Sequence, residues 1–288
     1  MEMHESASGA SREGHGAVSL GASFWKERTH NLSRMNLTDL VRAYFTYPAI
    51  LVYLVLATAA TVLAILLAQG VLPLLLAAAL AAALYPLVWY LLHRFVLHGR
   101  YLYKWRHTAA VWKRIHFDHH QDPHNLRVLF GALYTTLPTI ALVTIPLGWV
   151  VGGLAGSCAA FASGVFTTCF YEFCHCVQHL NHTPKSQFLQ RIKRLHLAHH
   201  FHNEAGNYGI TNFFWDRVFG TLYEKSKAVP RSATVFNLGY TAAEAERYPW
   251  VAALSGGTRG DGNPRRFRTA TTATDDSGNS ARVPQTGT

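Results

Sequence analysis

Two long stretches of this chain carry no charged side chain. Residues 43–93 hold no Asp, Glu, Lys or Arg, and neither do residues 128–171, giving runs of 51 and 44. A bilayer span needs about 20 apolar residues. Each run is therefore too long for one span and fits two spans joined by a tight turn. The pattern predicts spans at about 48–69, 72–92, 130–150 and 154–173. The first hairpin turns near Gln69-Gly70, with Pro73 just beyond, and the second near Gly152-Gly153. Pro138 and Pro146 should kink the third span. Residues 37–46 read as a short helix lying on the membrane, with Asn36 or Thr38 as its cap. Strand signals are weak throughout.

Composition sharpens this picture. Charged residues make up 15% of the 288, well below the roughly 25% of a soluble domain. The deficit lies almost wholly in the two bare runs, so the chain is a membrane protein with wet segments between greasy ones. A soluble globule, a disordered chain and a secreted disulfide scaffold are excluded. Cys158, Cys169, Cys174 and Cys176 form neither C-x-x-C nor a disulfide framework.

Lys and Arg set the expected orientation. Both hairpin turns lack them, whereas residues 94–127 carry seven and residues 12–42 carry five. Both termini and the middle loop are therefore expected in the cytoplasm. The net charge of +10 follows from that topology and from anionic headgroups, so no nucleic acid is implied. The start of the chain lacks the pattern of a cleavable signal, and the first hairpin would act as the targeting signal. Arginine outnumbers lysine 19 to 7, a usage typical of GC-rich bacteria, which points to a bacterial plasma membrane.

Histidine carries the chemistry. Of 17 histidines, 14 lie between positions 93 and 202. Ten fall into four clusters: His93 and His98 (H-x4-H), His116, His119 and His120 (H-x2-H-H), His175 and His179 (H-x3-H), and His196, His199 and His200 (H-x2-H-H). They form two matched sets, each emerging from one hairpin. Offsets of three and four bring side chains to one helix face. The offset of five at His93 and His98 needs a distorted turn, or two ligands facing different metals. So many neutral imidazoles near a membrane are costly unless they bind metal, and neutral imidazole suits iron or zinc. Ten ligands are too many for one ion and fit two. Only Asp118, Asp122 and Glu172 supply carboxylates in this region, which excludes a carboxylate-bridged di-iron bundle. The remaining His107, His124, His182 and His202 are assigned to supporting or surface roles. Asp118, Asp122, Glu172, His124, His202, Asn181 and Asn203 are candidates to hydrogen-bond the ligands' outer nitrogens.

These residues resemble the fatty acid hydroxylase superfamily, which includes sterol desaturases and carotenoid hydroxylases. The likeness covers about residues 85–225. It is carried by HRFVLHG (93–99), IHFDHHQDPHNLRVLF (115–130), YEFCHCVQH (171–179) and the segment from Leu195 to the WDRVFGT of 215–221. The cluster order and the Asp-Pro step after His120 point to the fatty acid hydroxylase branch, including acyl 2-hydroxylases. The resemblance implies an all-α integral membrane fold. Four transmembrane helices in two hairpins would be capped by a cytoplasmic histidine-rich helical domain with a dimetal centre. It implies a hydroxylase-like membrane domain over 47–240, between a mobile N-terminal region with its interfacial helix (1–46) and a disordered tail (241–288).

Carried over residue by residue, the ten clustered histidines become the metal ligands. The implied activity is an iron-dependent oxygenase, with zinc possible in purified protein, that uses O2 to hydroxylate a lipid C–H bond, most simply on a fatty acyl chain. The substrate would enter from the bilayer past Trp89, Tyr90 and Phe170. A sterol or carotenoid desaturase or hydroxylase on the same core is the alternative, and a metal-handling membrane protein is a third reading. Acyl 2-hydroxylases often carry a fused cytochrome b5 domain, for which the residues before the first span here are too few. No dinucleotide fingerprint or C-x2-C pattern appears in these residues. Electrons would then come from a separate ferredoxin, cytochrome b5 or reductase. Its landing ground would be the basic residues Arg100, Lys104, Arg106, Lys113, Arg114, Arg191, Lys193 and Arg194.

Overall fold

A computed structural model describes residues 31–257. Among them the structure is helical, with one isolated bridge between Asn31 and Asn125 and no strand. Helix α1 (Leu37–Phe45) begins with a capping box: Asp39 N–H donates to Asn36 Oδ1 at 2.9 Å, and Asn36 N–H donates to Asp39 Oδ2. Leu40 and Tyr44 are buried, and the Tyr44 hydroxyl donates to the Cys169 carbonyl at 2.5 Å. Leu37, Val41 and Phe45 form an exposed apolar stripe along the same helix.

Helix α2 (Pro48–Leu67) opens on proline, where a missing N–H costs nothing. The chain passes through extended Gly70 into α3 (Val71–Leu91). Three short helices follow: α4 (Arg106–Trp112), α5 (Asp118–Gln121) and α6 (Leu126–Leu129). Helix α7 (Leu133–His179) comes next, with α2 and α3 packed along it. Its only non-helical residues are Gly152 and Gly153, the latter at φ +59°, a left-handed value that favours glycine. There α7 folds back on itself. Ser157 Oγ donates to the Ile145 carbonyl at 2.9 Å. A Cβ on Gly148 would strike the Gly156 backbone, and one on Gly164 would strike Thr144 and Ile140. Both expected turns are thus where the glycines lie. Pro138 and Pro146 sit within the first arm, whose angles stay helical.

Among the described residues, three helical stretches are long and apolar enough to cross a membrane: Pro48–Leu67, Val71–Lys104 and Leu126–His179. Their lipid-sized side chains point outward, as at Leu66, Leu72, Leu142 and Val150, while alanines such as Ala57, Ala64, Ala77, Ala81 and Ala160 are buried. Small residues let these backbones approach closely, which is how helices associate without a hydrophobic drive between them. Gly148→Leu should therefore prevent closure of the α7 hairpin. Overpacking of this kind costs roughly 1–3 kcal/mol, to be read as a lower melting temperature in detergent.

The folded part extends beyond its expected limits at both ends. Leu32 and Met35 are buried in the core that holds α1, although residues before 37 read as mobile. Helices α8 (Gln187–Phe201) and α9 (Phe214–Val218) are followed by α10 (Ala242–Arg247) and α11 (Trp250–Leu254). Ala245, Val251 and Ala252 pack against Tyr103, Trp112 and Phe117. The tail therefore does not begin at 241. Its apolar residues are too few and too short-spaced to mark helices by pattern, and their partners lie far away in sequence. The rest of the expected tail, and residues 1–30, lie outside the described residues.

Candidate metal centre

All ten clustered histidines meet where α3, α5, the end of α7 and α8 converge. Helix α3 runs on into a π-helical turn, Leu92–Leu97, in which His98 N–H donates to the His93 carbonyl five residues back at 3.1 Å. A turn closed by an i+5 bond places residues five apart one above the other. This is the distorted turn that the H-x4-H spacing demands. A second π turn, Lys113–Phe117, brings His116 in and leads to His119 and His120 on α5. His175 and His179 end α7, and α8 presents His196, His199 and His200.

The imidazoles sort into two overlapping groups. His119, His175, His179, His196 and His200 form one, and His93, His98, His116 and His199 the other. Within each group one nitrogen per residue lies within 4.8 Å of the rest, and His120 stands between them with His199 and His200. The grouping crosses the two sequence sets. The middle histidine of each H-x2-H-H triplet, His119 or His199, belongs to the group built mainly by the other half of the chain.

The residues fit a metal. Nε2 atoms face one another at 2.8 Å (His98–His116), 3.1 Å (His119–His175) and 2.9 Å (His179–His196). Seven buried ring nitrogens in the cluster have no partner among the described residues: His119 Nδ1, His120 Nε2, His179 Nδ1, His196 Nδ1, His199 Nε2 and both nitrogens of His200. Lone pairs aimed at one another with nothing to bind are unfavourable unless a cation shares them. Burial holds His116, His119, His120, His196 and His200 well below the ordinary histidine range, and repulsion among neighbouring rings adds to it. Burial takes His199 down to about 4 against a backbone bond that pulls upward. These rings are thus neutral at pH 7, the form that binds metal. An all-nitrogen donor set suits iron or zinc and not calcium or magnesium.

The groups expected to orient the rings do other work. Asp118 pairs with Lys113 at 2.7 Å, Asp122 accepts from Asn125, and Glu172 accepts the Gly131 N–H at 3.0 Å. His124 Nδ1 meets the carbonyl of His179 and not its ring, while His202 and Asn203 bond the carbonyls of Val229 and Pro230. The orienting acceptors are instead main-chain carbonyls. His93 Nδ1 meets Tyr208 O at 2.6 Å, His199 Nδ1 meets Gly206 O at 2.7 Å, and His120 Nδ1 meets Val235 O at 2.9 Å. A carbonyl leaves no mark in side-chain pattern. The only hint was the pair of glycines bracketing Asn207 and Tyr208.

A cavity of about 460 Å³ runs from the histidines into the membrane part. His93, His116, His119 and His175 line one end, and Ala81, Thr144 and Gly164 line it deeper along α3 and α7. At 1.5 Å per helical residue, the twelve residues from His93 to Ala81 give it a length of about 18 Å. Threonines 135, 139, 144 and 168 border it, yet each hydroxyl donates to a carbonyl of its own helix or turn at 2.7–2.9 Å. Those hydroxyls are therefore satisfied by backbone, and most of the remaining wall is aliphatic or aromatic, with Thr136 and Glu172 as further polar residues. Trp89 lines the cavity, whereas Tyr90 is buried against Thr221 and Arg94, and Phe170 faces outward.

The sequence profile of the fatty acid hydroxylase family matches residues 78–221, a stretch that contains all ten histidines. The chain belongs to the fatty acid hydroxylase family. It is 32% identical over 144 residues to the ceramide very long chain fatty acid hydroxylase of Saccharomyces cerevisiae, covering 48% of this chain and 35% of that one. It is 34% identical over 143 residues to a dihydroceramide fatty acyl 2-hydroxylase of Arabidopsis thaliana, covering 48% and 56%. With the human fatty acid 2-hydroxylase it shares 26% over 144 residues, covering 50% and 38%. The chain thus spans about a third to just over half of the length of these relatives. A solved structure of full-length scs7p, in which only the hydroxylase domain is visible, superposes with a TM-score of 0.55 at 26% identity, covering 64% of this chain and 68% of that one.

Proposed function

We propose that this member of the fatty acid hydroxylase family is a membrane-embedded, iron-dependent oxygenase that hydroxylates a C–H bond on a lipid acyl chain. The observation that carries the reading is the apolar cavity that ends on four imidazoles drawn from both groups. The names of the relatives agree with it: they are hydroxylases of fatty acyl chains, two of them on ceramide or dihydroceramide. His93, His98, His116, His119, His120, His175, His179, His196, His199 and His200 would hold two ions. Two irons would supply the activation of O2 and the oxidising power needed against an unactivated C–H bond. The chain's own part is to place that bond. Helix α3 and the two arms of α7 would thread an extended chain toward the imidazoles, and the mostly apolar wall would exclude water from it. Expression with lipid analysis tests the proposal. A mass gain of one oxygen on acyl chains supports it, and loss of two hydrogens marks a desaturase instead.

In the membrane, α2, α3 and the two arms of α7 would make four crossings. The histidine centre and both termini would lie on one side, with the cytoplasm favoured by the distribution of Lys and Arg. The exposed stripe of α1 suits the headgroup boundary. Reporter fusions at Gly70 and at the C-terminus should report opposite compartments. The same compartment for both would refute the two-hairpin arrangement.

A further inference from the structure

We propose that the two metal positions are inequivalent, and that the segment Gly206–Gly209 makes the position at His93, His98, His116 and His199 the tighter one. This rests on the two-metal reading above. Gly206 and Tyr208 each turn a carbonyl onto a ring of that group, at 2.7 Å to His199 Nδ1 and 2.6 Å to His93 Nδ1. Each bond fixes the proton on Nδ1 and aims the Nε2 lone pair inward. Between them Asn207 stands at φ +57°, a left-handed conformation that asparagine tolerates better than most residues.

The segment is held from behind. Asn207 Oδ1 accepts the Tyr223 N–H at 2.9 Å, and its Nδ2 donates to the carbonyls of Tyr223 and Leu195. Asp216, fully buried, accepts from Tyr208 N at 2.8 Å and Gly209 N at 2.9 Å, and from the Thr221 hydroxyl. A Cβ on Gly206 or Gly209 would strike the carbonyl of Thr221 or of Asn212. The aspartate and threonine of the WDRVFGT stretch therefore act on the centre through this segment, without touching it. They are positioning residues.

The other group has no such frame. Among the described residues, the buried Nδ1 atoms of His119, His179, His196 and His200 meet no protein acceptor. Loss of an orienting partner typically costs about 10–100-fold in metal affinity. Two such partners serve the one position and none serves His119, His179, His196 or His200 of the other, while the third carbonyl, that of Val235, serves His120 between them.

The test loads purified full-length protein with zinc in detergent, challenges it with increasing chelator and counts zinc per chain. Two steps of one ion each are expected, with midpoints about 10–100-fold apart. His179→Ala should abolish the early step and His98→Ala the late one. Asp216→Asn should move the late step toward the early one and leave the early step in place. A single step releasing both ions overturns the inference, as does an early step that belongs to the His98 position. If Asp216→Asn does not fold, the wild type and the two histidine variants still decide. Loaded protein holding fewer than two ions overturns the inference together with the two-metal reading, and that outcome is distinct from a single two-ion step.

Discussion

His119→Ala or His199→Ala should abolish lipid hydroxylation and remove about one metal per chain. Each of these histidines sits in the group assembled chiefly from the opposite half of the chain. His119 Nε2 lies 3.1 Å from His175 Nε2, and the His199 ring centre lies 4.8 Å from those of both His93 and His98. Alanine at either place would remove a ligand and open a gap between the halves, in a centre whose neighbouring rings are buried apart from the half-buried His98. The loss should reach the limit of detection, because among the described residues the groups around that position consist only of the histidines already counted as ligands. His107→Ala and His182→Ala are the controls. Both residues are exposed and outside the groups, so near-normal turnover is expected. Near-normal turnover in His119→Ala or His199→Ala would take that residue off the ligand set.

Turnover should also depend on an added electron carrier. Insertion of one oxygen atom leaves the other to be reduced to water, which takes two external electrons. Reconstitution with lipid, O2 and NADPH alone should give no sustained turnover, and a ferredoxin or cytochrome b5 with its reductase should restore it. The landing ground is narrower than the basic residues of the sequence suggested. Lys113 is engaged by Asp118, Arg114 by the Phe130 carbonyl, Arg191 and Arg194 by Glu224, and Lys193 by the carbonyls of Leu180 and His182. Arg100, Lys104 and Arg106 remain exposed without an ion pair among the described residues. Small acidic carriers would be steered there by long-range attraction, which fades as salt shortens the Debye length. Glutamate at Lys104 and Arg106 together should raise the KM for the carrier and leave zinc content unchanged. Sustained turnover without a carrier would refute the idea, and so would a carrier KM indifferent to both salt and charge reversal.

Much of this is legible in the sequence. Charge-free runs marked the apolar helices and the glycine steps marked their turns: Gly153, at φ +59°, holds a conformation that favours glycine, whereas Gly70 is extended and marks its turn by breaking the apolar run beside Gln69. The histidine spacing marked the rings that converge, including the irregular turn at His93 and His98, since no regular helix aligns an offset of five. The exchange of His119 and His199 between groups was not legible. It depends on how α5 and α8 lie against each other, and both triplets have the same spacing. The orienting carbonyls of Gly206, Tyr208 and Val235 were invisible for another reason. Every residue has a carbonyl, and only the fold decides which one faces a ring. Asp216 stood within a quoted stretch yet had no role until Tyr208 and Gly209 were seen on its oxygens.

The crossing of the two groups also bears on the order of events during synthesis. Neither group is complete until His199 and His200 have left the ribosome, although the first hairpin and His93 to His120 emerge long before. The carbonyls of Gly206, Tyr208 and Val235 come later still. On the two-metal reading, loading would be a late event in biogenesis, after both hairpins have been made, and a chain released early would carry histidines but no complete group. A nascent chain stopped between the two triplets should hold no tightly bound ion, while one extended past Val235 should hold its full complement.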